Sequence, residues 1–213
     1  MKKQSNFIAY IFLFLTVTFW AGNFVVGKFA SLYEVPPFSL NFYRWFFAWL
    51  ILAPFTLPEI IKKKDYIINN YKLFIVLGVT SITIFNSIVY YSLNFTQVIS
   101  GVLMISTIPV MIMFFSSIMK IEKTNLFQII GVIFSFVGVI IIITKANFEI
   151  LKNLNFNKGD ITMVVAMFSW ALYSTLLKKQ KYEISQLSLL QVVMSFGLAF
   201  LIPIYFIEYQ LGF

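Results

Sequence analysis

Arg44 is the only arginine in the chain, and it stands in FSLNFYRWFFAWL (38–50), a stretch made mainly of apolar and aromatic side chains. Counting from Phe38 at about 1.5 Å per residue puts it roughly 9 Å inside the end of its helix. A guanidinium at the centre of a span costs about 2.5 to 3.5 kcal/mol, and each neighbouring Leu, Ile, Phe or Val offsets about 0.3 to 0.6 kcal/mol of that. Two chemistries are open to it. Its long stem lets the charge snorkel to the interface beside Tyr43 and Trp45. Alternatively it faces a cavity and offers its planar donor fork to the carboxylate or phosphate of a bound molecule. No Asp or Glu stands in the interior of any apolar run, so a bound anion is the charge that would neutralise it.

Other polar and aromatic residues share these runs. Asn23, Asn86 and Tyr90 place amide and phenol groups where an unpaired polar atom is costly. They either tie helices together, at about 0.6 kcal/mol each, or touch a substrate. Lys28 closes the first run. It is either a cation complementing a helix C-terminus or a second positive element of an outer vestibule. Trp20, Trp170 and Tyr173 would supply apolar walls with one polar handle. Together with Arg44, these are the candidate substrate-binding residues. The chain has no Cys and no His, which excludes disulfides, thiolate nucleophiles, imidazole bases and the commonest zinc sites. Catalysis at membrane depth draws on His, Cys or paired carboxylates, so neither an enzyme, a metal nor a cofactor is expected.

The elements that must hold these residues follow from composition. The chain is 60% hydrophobic and 11% charged, with 26 Phe among 213 residues, more apolar surface than a soluble globule of this length can hide. It reads as an all-α integral membrane protein with about seven transmembrane helices. The runs are Phe7–Ala30, Phe38–Leu57, Leu73–Leu93, Val98–Met119, Leu126–Thr144, Ile161–Leu177 and Leu187–Ile207, each near the roughly 20 residues a bilayer core requires. Backbone in hydrocarbon must satisfy its own hydrogen bonds, so each run is expected to be helical despite its β-branched residues. Lys2-Lys3 before an apolar stretch resembles a signal peptide, but six more runs follow. Pro109 predicts a kink or bend in the fourth run. Gly131, Ser135 and Gly138 predict a close helix contact along the fifth.

The net charge of +8 fits membrane topology better than nucleic acid, because the lysines sit in short connections. With the N-terminus inside, eleven lysines fall on the cytoplasmic side and four, Lys28, Lys145, Lys152 and Lys158, on the other. That bias predicts a cytoplasmic N-terminus in the cell (plasma or inner) membrane. The partners expected are the lipid bilayer, with KKKDYIINNYK (62–72) near anionic headgroups, and a small-molecule substrate, with no nucleic acid.

Shifting the chain by 150 residues aligns Trp20 with Trp170, Ala21 with Ala171, Lys28 with Lys178, Leu40 with Leu190 and Phe46 with Phe196. Five runs separate the two copies. The second copy would therefore cross the membrane in the opposite direction, the plan of a secondary transporter with alternating access. The sequence resembles the EamA-type transporters of the drug/metabolite transporter superfamily. The resemblance rests on FWAGNFVVGK (19–28), PPFSLNFYRW (36–45), Asn86, Tyr90 and Pro109. It continues in IMKIEKTNLFQIIGVIFSFVGVIIII (118–143), with Glu122, Gly131 and Gly138, and in GDITMVVAMFSWALYSTLLKK (159–179).

The resemblance implies ten helices in two inverted five-helix repeats around a central cavity that passes small metabolites. On that plan residues 7–144 form a complete first repeat and 159–213 an incomplete second one with two helices, so three spans are absent. Either the chain is a fragment, or a second copy or another chain completes it. The expected function is transport of small metabolites, amino-acid-like or other small organic solutes, by alternating access. The alternative is a non-transporting or regulatory membrane protein, or an inactive truncated product.

Overall fold

The computed structural model describes residues 6–121, 125–144, 147, 149 and 157–212. Lys2, Lys3, Glu122, Lys123, Lys145 and Lys152 lie outside the described residues. The chain is all helical, with no strand among the described residues. Helix α1 covers Asn6–Leu32, α2 Pro37–Lys62 and α3 Lys64–Asn69. The third run is one continuous rod made of α4 (Tyr71–Gly78), a π-helical stretch (Val79–Asn86) and α5 (Ser87–Leu93). Then follow α6 (Val98–Ile105), α7 (Ile108–Ile118), α8 (Leu126–Thr144), α9 (Lys158–Lys179) and α10 (Gln186–Gln210). Five helices, Phe7–Leu32, Pro37–Lys62, Tyr71–Leu93, Lys158–Lys179 and Gln186–Gln210, are long and apolar enough to cross a bilayer. Shorter apolar helices occupy the fourth and fifth runs.

Two of these rods depart from a plain helix. The fourth run does not bend at Pro109; it stops at Ile105 and restarts at Ile108. Pro109 then falls in the first turn of α7, where its missing N–H would have had no intrahelical acceptor. In the third run the wider π turn exposes three successive carbonyls, and side chains answer each. The Thr80 carbonyl accepts from Ser169 Oγ at 2.7 Å, that of Ser81 from Asn86 Nδ2 at 2.7 Å, and that of Ile82 from Asn41 Nδ2 at 2.9 Å. Because π turns pair residues five apart, Ser81 and Asn86 come onto one face.

The cores form where helices cross closely. One cluster joins Phe24, Val89, Tyr90, Leu93, Ile108, Met163, Ala166 and Met167; the other joins Phe74, Leu77, Ile82, Ile184, Leu189, Val192, Val193 and Met194. The second depends on Gly78 and Gly197. A Cβ on Gly78 would stand 2.6 Å from the Gly197 nitrogen, and one on Gly197 2.7 Å from Ile82 Cβ. Gly159 is held as closely elsewhere, where a Cβ would stand 2.6 Å from the Ser92 carbonyl oxygen. A Cβ on Gly131 or Gly138 would meet nothing within 4 Å, so the close contact expected of α8 is not formed among the described residues.

Helices α2 and α10 lie antiparallel and are pinned at both ends by exchanged carboxylates. Glu208, near the end of α10, accepts from the backbone of Phe38 and Ser39 at 3.1 and 2.6 Å and from Ser39 Oγ at 2.7 Å. Glu59, near the end of α2, accepts from the Ser185 backbone at 2.9 Å and from the hydroxyls of Ser185 and Ser188 at 2.5 Å each. Each acid thus neutralises the orphan donors at the other helix's start. Between them Trp49 Nε1 donates to Ser195 Oγ at 2.8 Å, and Gln191 Nε2 to the Trp49 carbonyl at 3.1 Å.

Two variants test this packing by thermal unfolding in detergent. Glu208→Ala strands part-buried donors and is expected to cost about 1–3 kcal/mol. Gly197→Val forces α4 and α10 apart and is expected to cost a similar amount, about 1–3 kcal/mol or more. Unchanged melting of both would remove the exchanged cap and the glycine crossing as supports of the fold.

Candidate functional site

The two clusters meet at a cavity of about 360 Å³, open on one side. Phe24 and Ile108 enter its wall from one cluster, Ile82 and Val193 from the other. Its polar floor is built by three rods. Helix α2 brings in Arg44, α1 brings Asn23, and the end of the π-helical stretch brings Asn86.

Arg44 does not snorkel. Its Nη1 donates to Asn23 Oδ1 at 2.5 Å and its Nη2 to Asn86 Oδ1 at 2.5 Å. The guanidinium carbon lies 4.8 Å from the centre of the Trp45 ring and 5.3 Å from that of Tyr90, distances at which ring faces attract a cation. Tyr90 donates its hydroxyl to Asn23 Oδ1 at 2.6 Å. Two amide dipoles and two ring faces therefore hold a full positive charge, with no carboxylate bonded to it among the described residues. A guanidinium has five N–H donors. Two are engaged, leaving three without a protein acceptor among the described residues.

The walls are aromatic. Trp20 and Trp170, the pair aligned by the 150-residue shift, touch edge to face with centroids 5.5 Å apart. Trp170 also packs on Phe85 at 4.5 Å and Tyr173 at 5.1 Å. Of the residues singled out from sequence, Trp20, Asn23, Arg44, Asn86, Trp170 and Tyr173 line the cavity. Tyr90 stands behind it, holding Asn23 and underlying the guanidinium.

Lys28 is elsewhere. Its Nζ donates to the Leu93 and Thr96 carbonyls at 2.7 and 3.0 Å. It closes the C-terminal end of α5 rather than that of its own helix, and it does not line the cavity. The charge complements a helix end, as one of its two readings had it, but the end belongs to a neighbour. Sequence reasoning passed over Phe19, Trp45, Ser81 and Phe85, all of which line the cavity. Trp45 carried a signal, its adjacency to Arg44; Ser81 carried none, because only the π turn aligns it with Asn86.

A second cavity of about 480 Å³ lies toward the α9–α10 connection and shares Tyr173, Leu190 and Val193 with the first. Tyr182 lines it; burial, with Tyr66 and Tyr173 close by, pushes its phenol up to about 12. The hydroxyl is thus neutral at any physiological pH, and it has no hydrogen-bond partner among the described residues.

Comparison with known proteins agrees with this architecture. The model of the EamA-like transporter family matches residues 7–144. An uncharacterized transporter of Archaeoglobus fulgidus is 27% identical over 201 residues, covering 93% of this chain and 67% of the relative. The uncharacterized transporter YyaM of Bacillus subtilis is 27% identical over 195 residues, covering 92% and 64%. YrdR, another uncharacterized transporter of Bacillus subtilis, is 24% identical over 179 residues, covering 82% and 55%. The chain therefore spans about two thirds of the length of the first two relatives and about half of the third. No solved structure matches it. With more than half of its residues matched by that family model, and with helices whose length and composition fit a bilayer, the chain is an all-α integral membrane protein belonging to the EamA-like transporter family.

Proposed function

We propose that the chain is the substrate-binding part of a transporter that passes small metabolites by alternating access, and that Arg44 is its anion-recognising residue. The observation that carries this is the bare charge of Arg44. A buried cation without a counter-ion is expensive, and here it is retained in the wall of a cavity, with three donors left to offer. An anion arriving there gains charge-assisted hydrogen bonds and relieves that cost.

Alternating access draws support from pairs related by the shift of about 150 residues. Trp20 meets Trp170 at the cavity. Asn41 and Gln191 are both fully buried amides, and each has a side-chain oxygen with no partner among the described residues. Glu59 and Glu208, offset by one residue from that register, perform the same cap on opposite ends of the α2–α10 pair. Such correspondences suit two oppositely directed copies that rock against each other. On this reading residues 7–144 are the first copy and 159–213 the start of the second, the N-terminus is cytoplasmic, the membrane is the cell membrane, and a second copy or another chain completes the cavity.

Proteoliposomes carrying the chain, tested with labelled carboxylates, amino acids and sugar phosphates, check the proposal. At least one anionic compound is expected to be carried, and Arg44→Gln to lower its initial rate at least about tenfold, in line with the loss of a charge-assisted contact. Arg44→Lys is expected to fail as well, since one ammonium cannot span two separated amide oxygens. Lys28→Ala is expected to melt earlier yet keep the rate per folded molecule. Carriage insensitive to Arg44→Gln, or no carriage together with no saturable binding of any anionic probe to the purified chain, would overturn the proposal.

A further inference from the structure

The lining of the central cavity says more about what fits than that it is negative. Sixteen of the described residues form it; one of them is charged, and none is Asp or Glu. We infer that the site selects an organic monoanion with a flat apolar body and rejects zwitterions and dianions of the same shape. This rests on Arg44 being the substrate contact, and it narrows the class of substrate that contact takes.

The argument is an inventory of donors and acceptors. A zwitterion brings an ammonium beside its carboxylate, hence close to Arg44, and needs acceptors there. Asn23 Oδ1 already receives two donors, from Arg44 and Tyr90. Asn86 Oδ1 receives Arg44, and its Nδ2 is spent on the Ser81 carbonyl. Ser81 donates its hydroxyl to the Leu77 carbonyl at 2.6 Å. An ammonium would find only neutral acceptors, a spare lone pair on Ser81 or Asn86 or the Tyr173 hydroxyl, and would be repelled by the guanidinium. A second negative charge fares no better, because the cavity offers a single cation. One carboxylate, by contrast, takes up to two of the three remaining donors and leaves the pair neutral, which an apolar surround favours.

The body is read from the walls. Trp20 and Trp170 stand at 77° to each other, while Phe85 and Trp170 are inclined at 37°. These planes offer both edge and face contacts to a ring, the arrangements aromatic pairs prefer. A volume of about 360 Å³ lies near the small end of ligand sites, which run from about 300 to 1,000 Å³.

A matched phenyl series tests charge and body separately. Trp20, Trp45 and Trp170, three of the four tryptophans, line the cavity, so intrinsic fluorescence of the whole chain in lipid nanodiscs reports occupancy. Phenylacetate is expected to quench saturably. Phenylalanine, phenylethylamine, phenylsuccinate and bare acetate are each expected to bind at least about tenfold more weakly, the size of effect that an unpaired buried charge or a lost apolar contact produces. Arg44→Gln is expected to abolish phenylacetate binding. Trp20→Ala, on a half-exposed side chain, is expected to weaken phenylacetate and leave acetate unchanged. If phenylalanine or phenylsuccinate binds as well as phenylacetate and Arg44→Gln removes them all, the monoanion selectivity is wrong while the role of Arg44 stands. If acetate matches phenylacetate, the flat-body requirement is wrong. If nothing binds in a manner sensitive to Arg44→Gln, both this inference and the reading beneath it fall.

Discussion

A peptide group left unpaired in hydrocarbon costs several kcal/mol, and this chain meets that constraint at its helix ends by borrowing side chains from other helices. Lys28 of α1 caps carbonyls at the end of α5. Glu208 of α10 caps the start of α2, and Glu59 of α2 the start of α10. At the start of α9, Asn157 and Asp160 form a reciprocal capping box, and Thr96 donates to the same Asp160 from the turn after α5. Each cap satisfies a terminus and also fixes the distance between two rods. Satisfying the backbone and assembling the bundle are one event, which is why few side chains suffice to order helices whose outer faces are largely apolar.

The same constraint explains where the backbone is irregular. A π-helical stretch exposes carbonyls that a straight helix would pair, so it survives only where Ser169, Asn86 and Asn41 can answer them. Those donors come from two other helices and from the stretch's own end, and the irregularity lies beside the cavity. The break between α6 and α7 is there too, with Ile105 and Ile108 on either side of it in the cavity wall. Irregular backbone at membrane depth is tolerated where it is buried in protein or lines a cavity, and both irregular segments meet that condition.

Much of this was readable in the sequence, for a physical reason. An apolar run has to be a helix in lipid, so the rods at Leu73–Leu93, Leu126–Thr144 and Ile161–Leu177 could be placed to within a few residues of their observed ends. A polar residue inside such a run must have a use, which singled out Arg44, Asn23, Asn86 and Tyr90. What stayed hidden is whatever composition does not encode. VTSITIFN reads as ordinary helix, and nothing in it announces a π turn. Lys28 finds its acceptors 65 and 68 residues away, a pairing that spacing along α1 could not reveal. In a chain with 19% aromatic residues, Phe85 and Trp45 carry little information until their neighbours are known. The Gly78–Gly197 crossing was missed because it joins two runs, whereas the expectation for Gly131 and Gly138 came from one run alone.

The site also breaks the near-symmetry that surrounds it. Under the 150-residue shift Trp20 matches Trp170 and Asn41 matches Gln191, but Arg44 matches Met194, which is buried in an apolar cluster. Paired tryptophans and buried amides can serve as scaffold in both halves; a charge present in one half only has no such duty. Its fixings point the same way. Helices α2 and α10 are held at both ends by carboxylates, whereas α1 is scarcely buried. Among the described residues its polar attachments to other helices are Asn23, which holds Arg44 and Tyr90, and Lys28 and Ser31, which hold the end of α5. A group that draws Arg44 away from Asn23 therefore removes one of the polar ties of a span that is scarcely buried.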